Sequence, residues 1–256
     1  MHISRSEAFC RLLHMHYARG VGHLGGNLSA LDVLLVLYQR ILEPNDVFVL
    51  SKGHSAGALY VALWSVGRLS DHDLETFHAD NTILAGHPPA QGLSDVHFAT
   101  GSLGHGLPIA AGCALSAKLR GASYRVYCLM SDGEWQEGSN WEACIFSVHH
   151  KLSNLTVLVD LNGLQGFGTT KDVASMDDLA ARLARFNLDL VEIDGHDPDA
   201  IERTLLRLSG GPRVVILKTC KGFCVPAFEG RFESHYLPLT EKDYRTACAL
   251  AAELET

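Results

Sequence analysis

Between Arg5 and Arg19 the apolar positions Phe9, Leu12, Leu13, His16 and Tyr17 fall on one helical face, and the pattern stops at Gly20-Val21-Gly22-His23-Leu24-Gly25-Gly26. So dense a glycine cluster predicts a loop in which backbone comes close to something. Ser29 is placed to cap a second helix through Ile41, with Leu31, Leu34, Leu35 and Tyr38 facing a core. Val47 to Leu50 reads as a short strand, Ser55 to Val66 as a helix of small residues and Asp71 to His78 as a shorter helix. The stretch from Asn81 to Gly101 is too irregular for regular structure, and long loops of that kind are usually functional. A helix carrying Ile109, Ala110, Ala114, Ala117 and Leu119 follows, then apolar strand runs at 124–130 and 155–159 around a helix that bears Trp141, Ala143, Cys144, Ile145 and Val148. Beyond them the pattern predicts a helix over 176–186, a strand over 188–193, a helix over 198–208, a strand over 213–218 and a tail helix from Thr240. Strands alternating with helices predict an α/β fold, a doubly wound, mostly parallel sheet with helices on both faces. No repeat or linker divides the chain, so one domain over 1–256 is expected.

Composition narrows the function classes. A chain of 256 residues with 47% hydrophobic and 20% charged residues can bury a sizeable core. The formal net charge of -8 argues against a nucleic-acid surface and leaves small molecules as the ligand class. The start, Met1-His2-Ile3-Ser4-Arg5-Ser6-Glu7, has no apolar secretory core, and runs such as Ala56 to Val66 are too short to cross a bilayer, so a cytoplasmic location without membrane insertion is expected. Cys10, Cys113, Cys128, Cys144, Cys220, Cys224 and Cys248 are an odd set scattered over apolar segments, as free thiols in a reducing compartment are. Cys220 and Cys224 form a candidate redox or metal pair that lacks the second pair of a zinc site.

The candidate chemistry concentrates between Ser131 and Gly168. Strand, turn, helix and strand form a right-handed crossover there, which delivers Asp132 and Asn162 to one edge of a parallel sheet, the edge at which such sheets bind ligands. A carboxylate and an amide are hard oxygen donors suited to Mg²⁺ when phosphate oxygens complete its octahedron. Gly133 lets backbone approach, and the helix start after it adds unpaired N–H groups for the same phosphate. Asp132 is expected at an exposed strand end. Asp-Gly and Asn-Gly are also ordinary turn dipeptides, so the surrounding motifs decide between the two meanings. The glycine cluster at 20–26 lacks the Gly-Lys-Ser/Thr ending of a nucleotide P-loop.

Those motifs are Gly22-His23, Ser51-Lys52-Gly53-His54, Gly86-His87-Pro88, Thr100-Gly101-Ser102-Leu103-Gly104, Asp132-Gly133 with Glu137-Gly138, Asp160-Leu161-Asn162-Gly163 and Lys218-Thr219. In that order they resemble the thiamine diphosphate-binding domain of transketolases, over residues 5–240. The match is with the shorter chains that form the N-terminal half of a split, two-subunit enzyme.

The resemblance implies roles. Asp132, Asn162 and the carbonyl of Leu164 would hold Mg²⁺, while Gly133 and Glu134 N–H groups, Ser102, Leu103, Asn162, His54 and His235 would contact thiamine diphosphate. His23 and His87 would touch sugar hydroxyls and the reacting carbonyl, with His235 beside them and Glu137 at a subunit contact linked to cofactor activation. Imidazoles suit such work because they donate, accept or carry a proton near neutral pH. Ser131, His105 and Gly166 depart from the family's usual glycine, glutamine and larger apolar residue. The implied function is transfer of a two-carbon ketol unit from a ketose to an aldehyde, with sugars or sugar phosphates as substrates. The glutamate and aromatic pocket that serve the cofactor's pyrimidine lie in a further domain for which the chain has no room before Thr256, so a C-terminal partner subunit in a heterotetramer is expected. Two rivals are the α chain of a 2-oxoacid dehydrogenase, which shares the fingerprint but not the Ser-Lys-Gly-His and Gly-His-Pro loops, and a non-catalytic cofactor-binding subunit.

Overall fold

The computed structural model describes residues 3–254, so Met1, His2, Glu255 and Thr256, the ends of the expected domain and part of the stretch read for a leader, lie outside the described residues. Five parallel strands form the central sheet in the order β1-β2-β3-β7-β6, with β1 Val47–Leu50, β2 Val126–Ser131, β3 Leu155–Leu161, β6 Asp189–Asp194 and β7 Arg213–Lys218. Two short strands, β4 Leu164–Gln165 and β5 Gly168–Thr169, pair antiparallel beside it.

The unbroken apolar runs of β2, β3 and β7 follow from burial on both faces. Their alternate residues sort into two cores: Val126, Cys128, Met130, Val157, Val159, Val214 and Ile216 face one layer, while Tyr127, Leu129, Leu158, Val215 and Leu217 face the other. The first layer holds α5 Gly106–Arg120, α6 Gly138–His149 and α8 Leu179–Leu183. The second holds α1 Arg5–Arg19, α2 Leu24–Val36, α3 Ala56–Ser65, α9 Pro198–Leu206 and α10 Glu241–Ala252. Handedness accounts for α5, α6, α8 and α9. The steps β1 to β2 to β3 to β6 all move one way across the sheet and put α5, α6 and α8 on one face, whereas β6 to β7 steps back and puts α9 on the other.

Most boundaries follow local chemistry. A capping box between Ser4 and Glu7 starts α1, and Gly20 in the left-handed region ends it. A similar box from Ser70 starts α4 Asp71–Glu75, shorter than the predicted 71–78. No helix or strand forms between Glu75 and Gly106, as the irregular sequence predicts. The hairpin of β4 and β5 and the short α7 Thr170–Ala174 were not expected.

The glycine cluster is the clearest departure. Helix α2 begins at Leu24, so Gly25 and Gly26 are helical rather than looped, and Ser29 lies inside the helix instead of capping it. Every residue of α2 is buried, and its last turn passes into a π-helix over Leu37–Ile41. The glycines are there for proximity. A Cβ at Gly25 would lie 2.7 Å from Ser234 Cβ, and one at Gly26 would lie 3.2 Å from His54 Cδ2. All seven cysteines are free, and Cys220 and Cys224 diverge, their thiols turned to Lys221 O and Ala247 O respectively. Among the described residues, no helix is long and apolar enough to cross a membrane.

This packing gives a test of why Gly25 is glycine. In a loop or an open helix, alanine would be neutral or stabilising by about 1 kcal/mol. Gly25→Ala is instead expected to destabilise the chain by about 1–3 kcal/mol in urea unfolding, as overpacking does, and Ser234→Gly in the same chain to restore most of the loss.

Candidate active site

Four neighbouring strands deliver the site. β1 ends on Ser51-Lys52, β2 on Asp132, β3 on Asn162, and the segment after β7 carries Thr219 and Lys221, all at the carboxyl edge of the sheet. Above that edge lies a cleft of about 480 Å³, whose walls include His23, His54, His87, His235, Asp132 and Asn162.

The floor is a buried ion pair. Lys52 and Asp160 are both 0% exposed and bonded to each other, and Lys52 Nζ also donates to Gly26 O at 3.0 Å. Asp160 Oδ2 further accepts from Ser29 Oγ at 2.6 Å, while Oδ1 accepts from Thr219 Oγ1 and from Asn162 Nδ2 at 3.1 Å. Burial alone would raise the Asp160 carboxyl, but Lys52 and these donors together hold it below the ordinary range. Because the Asn162 amide gives its NH₂ to Asp160, its Oδ1 is turned to the other side, where it accepts from Leu164 N at 3.1 Å.

Asp132 packs against the same turn. Its Oδ2 accepts from Gly163 N at 2.6 Å and its Oδ1 from Gly133 N at 2.8 Å, so the Gly133 N–H expected to meet a phosphate is engaged by its neighbour here. Gly163 has φ 76, which a left-handed turn gives to glycine most easily. The expectation of an exposed strand end is overturned, since Asp132 is 1% exposed. The strands pack over it, and burial followed by repulsion from Asp160 pushes its carboxyl up to about 6. A buried carboxylate that resists ionisation is matched to a cation. Among the described residues no three His, Cys, Asp or Glu side chains form a metal cage, so a cation here would draw on Asp132, the Asn162 amide oxygen, the Leu164 carbonyl and ligand oxygens. Gln165 Oε1, on the cleft wall and 3.2 Å from where a Cβ at Gly133 would lie, is buried with no hydrogen-bond partner. That orphaned acceptor and the hard-oxygen set fit a magnesium-bound diphosphate cofactor whose organic portion carries a donor.

The four histidines converge. Ring centroids of His23 lie 5.8 Å from His54, 5.9 Å from His87 and 4.9 Å from His235, and those of His54 and His235 are 5.5 Å apart. The motif around His235 is the loosest match in sequence, yet the residue stands among the others, and its carbonyl accepts from His23 N at 2.9 Å. Burial is the first cause in lowering all four, with His87 and Lys221 adding to it at His23 and Lys52 at His54. His235 falls to about 3 through burial and then the Lys221 ammonium, whose Nζ donates to His235 Nδ1 at 3.3 Å and to Leu164 O at 3.3 Å. That bond leaves the His235 proton on Nε2. Neutral imidazoles of this kind donate and accept hydrogen bonds at pH 7 without presenting charge.

Leu103, Gly133, Glu137 and Leu164 also line the cleft. Glu137 precedes α6 without a side-chain capping bond. Ser102 is exposed on its turn and outside the lining, and the Glu134 side chain is buried beneath, bonded to Ser51 Oγ, to Gly104 N at 3.1 Å and to Ser131 N at 2.9 Å. Sequence reading gave no role to Lys221, Gln165 or Asn27. The Asn27 amide donates to His23 O at 2.8 Å and His54 O at 3.0 Å and accepts from Ala58 N at 2.8 Å, tying both histidine loops to α2. Its place inside a glycine-rich stretch was the available signal.

His16 is 1% exposed with neither ring nitrogen in a well-formed hydrogen bond, and burial, only partly offset by the nearby backbone of Val21 and Gly22, lowers it to about 4. The folded value lies below the ordinary 6.5, so its contribution to stability is complete above about pH 6.5 and is lost as pH falls toward 4. The full loss is about 3 kcal/mol. His16→Leu is expected to flatten the fall in unfolding free energy between pH 7 and 4.5 by a large part of that amount; parallel curves for the two proteins would contradict the burial of a neutral imidazole.

The chain is similar to known proteins along most of its length. The family model described as transketolase, thiamine diphosphate binding domain, matches residues 7–250. The chain is 38% identical over 226 residues to a subunit of the apulose-4-phosphate transketolase of Actinobacillus succinogenes, covering 84% of this chain and 82% of that protein. It is 34% identical over 248 residues to the 6-deoxy-6-sulfo-D-fructose transketolase subunit SqwG of a Clostridium species, covering 92% and 89%. The crystal structure of transketolase from Campylobacter jejuni superposes with a TM-score of 0.89 at 29% identity, covering 98% of this chain and 43% of that one. The chain therefore spans less than half the length of that solved relative.

Proposed function

The chain belongs to the transketolase family, as its thiamine diphosphate-binding domain, and from that premise we propose that it is the N-terminal subunit of a split, Mg²⁺-dependent enzyme that moves a two-carbon ketol unit from a ketose to an aldehyde. The observation that carries this reading is the meeting of Asp132, Asn162 and the Leu164 carbonyl on one turn, beneath four neutral histidines in a single cleft. Residues 3–254 are taken as one domain, because both cores are built on the same sheet.

Asp132, Asn162 Oδ1 and Leu164 O would hold Mg²⁺ together with diphosphate oxygens, and Lys221 adds positive charge at the same end. Bound thiamine diphosphate supplies a nucleophilic carbon that takes up and passes on the ketol fragment. The protein supplies position and electrostatics. Asp160 orients Asn162, and Asn27 holds the backbone of His23 and His54. His23 and His87 are assigned to the sugar, where neutral imidazoles hold or move a proton at its oxygens. His54 and the Nε2–H of His235 are assigned to the cofactor's diphosphate end, with Leu103 and Ser102 on the neighbouring turn.

The partner is a C-terminal chain carrying the pyrimidine-binding domain, in a heterotetramer. Two relatives are named as subunits, and the mouth of the cleft is rimmed by exposed apolar side chains, Leu103, Val173 and, at the tip of the β4–β5 hairpin, Phe167 at 86% exposure. An aromatic so exposed beside a cleft suits a covering surface that also excludes water from the reaction. Glu137 is assigned to that contact. A cytoplasmic location completes the proposal.

Two outcomes follow. Asp132→Asn is expected to weaken Mg²⁺-dependent thiamine diphosphate binding in calorimetry by a hundredfold or more; unchanged affinity would dissolve the metal assignment. The lone chain, given cofactor and Mg²⁺, is expected to show no ketol transfer until a C-terminal subunit is added, and Phe167→Asp to weaken the resulting complex in sedimentation. Full turnover by the lone chain would refute the split arrangement.

A further inference from the structure

At position 166 the hairpin between β4 and β5 carries no side chain, and the space is filled from elsewhere. A Cβ there would lie 2.5 Å from the Tyr236 hydroxyl oxygen and 3.3 Å from His235 Nε2. Such a contact is closer than side-chain carbons tolerate, so a side chain at 166 would displace the Tyr236 hydroxyl from its present place. The Tyr236 backbone is held in turn. Its N–H donates to Glu233 O at 3.0 Å, a Cβ at Gly22 would lie 2.5 Å from its carbonyl oxygen, and the preceding carbonyl accepts from His23 N. The ring stands edge-on to His235 at 4.8 Å between centroids. Tyr236 lines the cleft at 53% exposure, and among the described residues its hydroxyl bonds no protein group and stays open to solvent or ligand.

A phenol placed on a cleft wall, fixed at its backbone and left without a protein partner, is a free donor and acceptor for a ligand. We propose that Tyr236, admitted by Gly166, is a specificity-determining residue that hydrogen-bonds a sugar hydroxyl beyond the reacting carbonyl of the ketose donor. The inference rests on the ketol-transfer reading and deepens it. Where an apolar side chain at 166 would present a hydrocarbon wall, this chain presents the Tyr236 hydroxyl. That hydroxyl favours a donor with hydroxyls beyond the carbonyl over one with none, because a site built to bond a hydroxyl loses more when the hydroxyl is missing.

The test uses this chain reconstituted with its C-terminal subunit, with D-erythrulose as a donor that has hydroxyls beyond the carbonyl and hydroxypyruvate as one that has none. Tyr236→Phe is expected to raise KM for erythrulose relative to KM for hydroxypyruvate about fivefold, the loss of one neutral hydrogen bond, with a smaller change in kcat. Thiamine diphosphate affinity, read by calorimetry, is expected to move less than twofold. Gly166→Ala should reproduce the shift in the ratio by displacing the hydroxyl, and should add little on top of Tyr236→Phe, where the oxygen it strikes is gone. An unchanged ratio, a parallel loss of cofactor affinity, or fully additive effects of the two substitutions would overturn the proposal. Absence of turnover with either donor in the unsubstituted complex would instead bring down the ketol-transfer reading, and this inference with it.

Discussion

The buried pair of Lys52 and Asp160 is the constraint on which the site depends. Neither charge could be buried alone, since an unpaired ion in the interior costs several kcal/mol. Paired, they join four pieces of the chain: Gly26 O and Ser29 of α2, the loop after β1, the end of β3, and Thr219 after β7. The gain is geometric more than energetic. Asp160 has a lone pair left for Asn162 Nδ2, and that bond fixes which way the amide oxygen points. The direction of the Asn162 oxygen is therefore set by a carboxylate that a lysine after β1 keeps charged and in place.

A second constraint is the treatment of charge around the histidines. Elsewhere in the molecule an imidazole is bonded to a carboxylate: His196 Nδ1 meets Asp32 Oδ2 at 2.8 Å, its Nε2 accepts from Cys220 N at 3.0 Å, and Arg5 completes the group. Among the described residues the cleft histidines have no such partner. Their neighbours are one another, Lys52 and Lys221, and each is held in its neutral form by burial first. A cluster of neutral imidazoles is suited to bond many hydroxyls at once, and the positive charge of the cleft is left to Lys52 and Lys221. The cleft is thereby graded from a charged floor to a neutral, hydrogen-bonding wall.

Much of this is legible in the amino-acid sequence alone. The strand runs at 47–50, 155–159 and 213–218 are continuous because both faces of the sheet are covered, and continuous β-branched runs are easy to read. Asp132, Asn162 and the four histidines stand out because each sits in a short motif with a chemical reason. What stays hidden depends on distant contacts. The helical start at Leu24 runs against glycine's low helix propensity and is imposed by the close approach of Ser234 and His54. The burial of Asp132 comes from packing above a strand end that looks exposed in one dimension. Lys221 and Tyr236 reach the cleft from a segment after the last strand whose sequence has no periodicity, and the side chains that crowd Gly166, Tyr236 and His235, come from that same segment.

The central claim is that Asp132, the Asn162 amide oxygen and the Leu164 carbonyl share one divalent cation with a diphosphate. Anomalous scattering from crystals grown with thiamine diphosphate and Mn²⁺ in place of Mg²⁺ tests it directly. The account predicts one strong peak bounded by those three oxygens and two diphosphate oxygens, with Lys221 moved off Leu164 O. A cofactor bound in the cleft with the metal peak elsewhere, or with no peak at all, would contradict it.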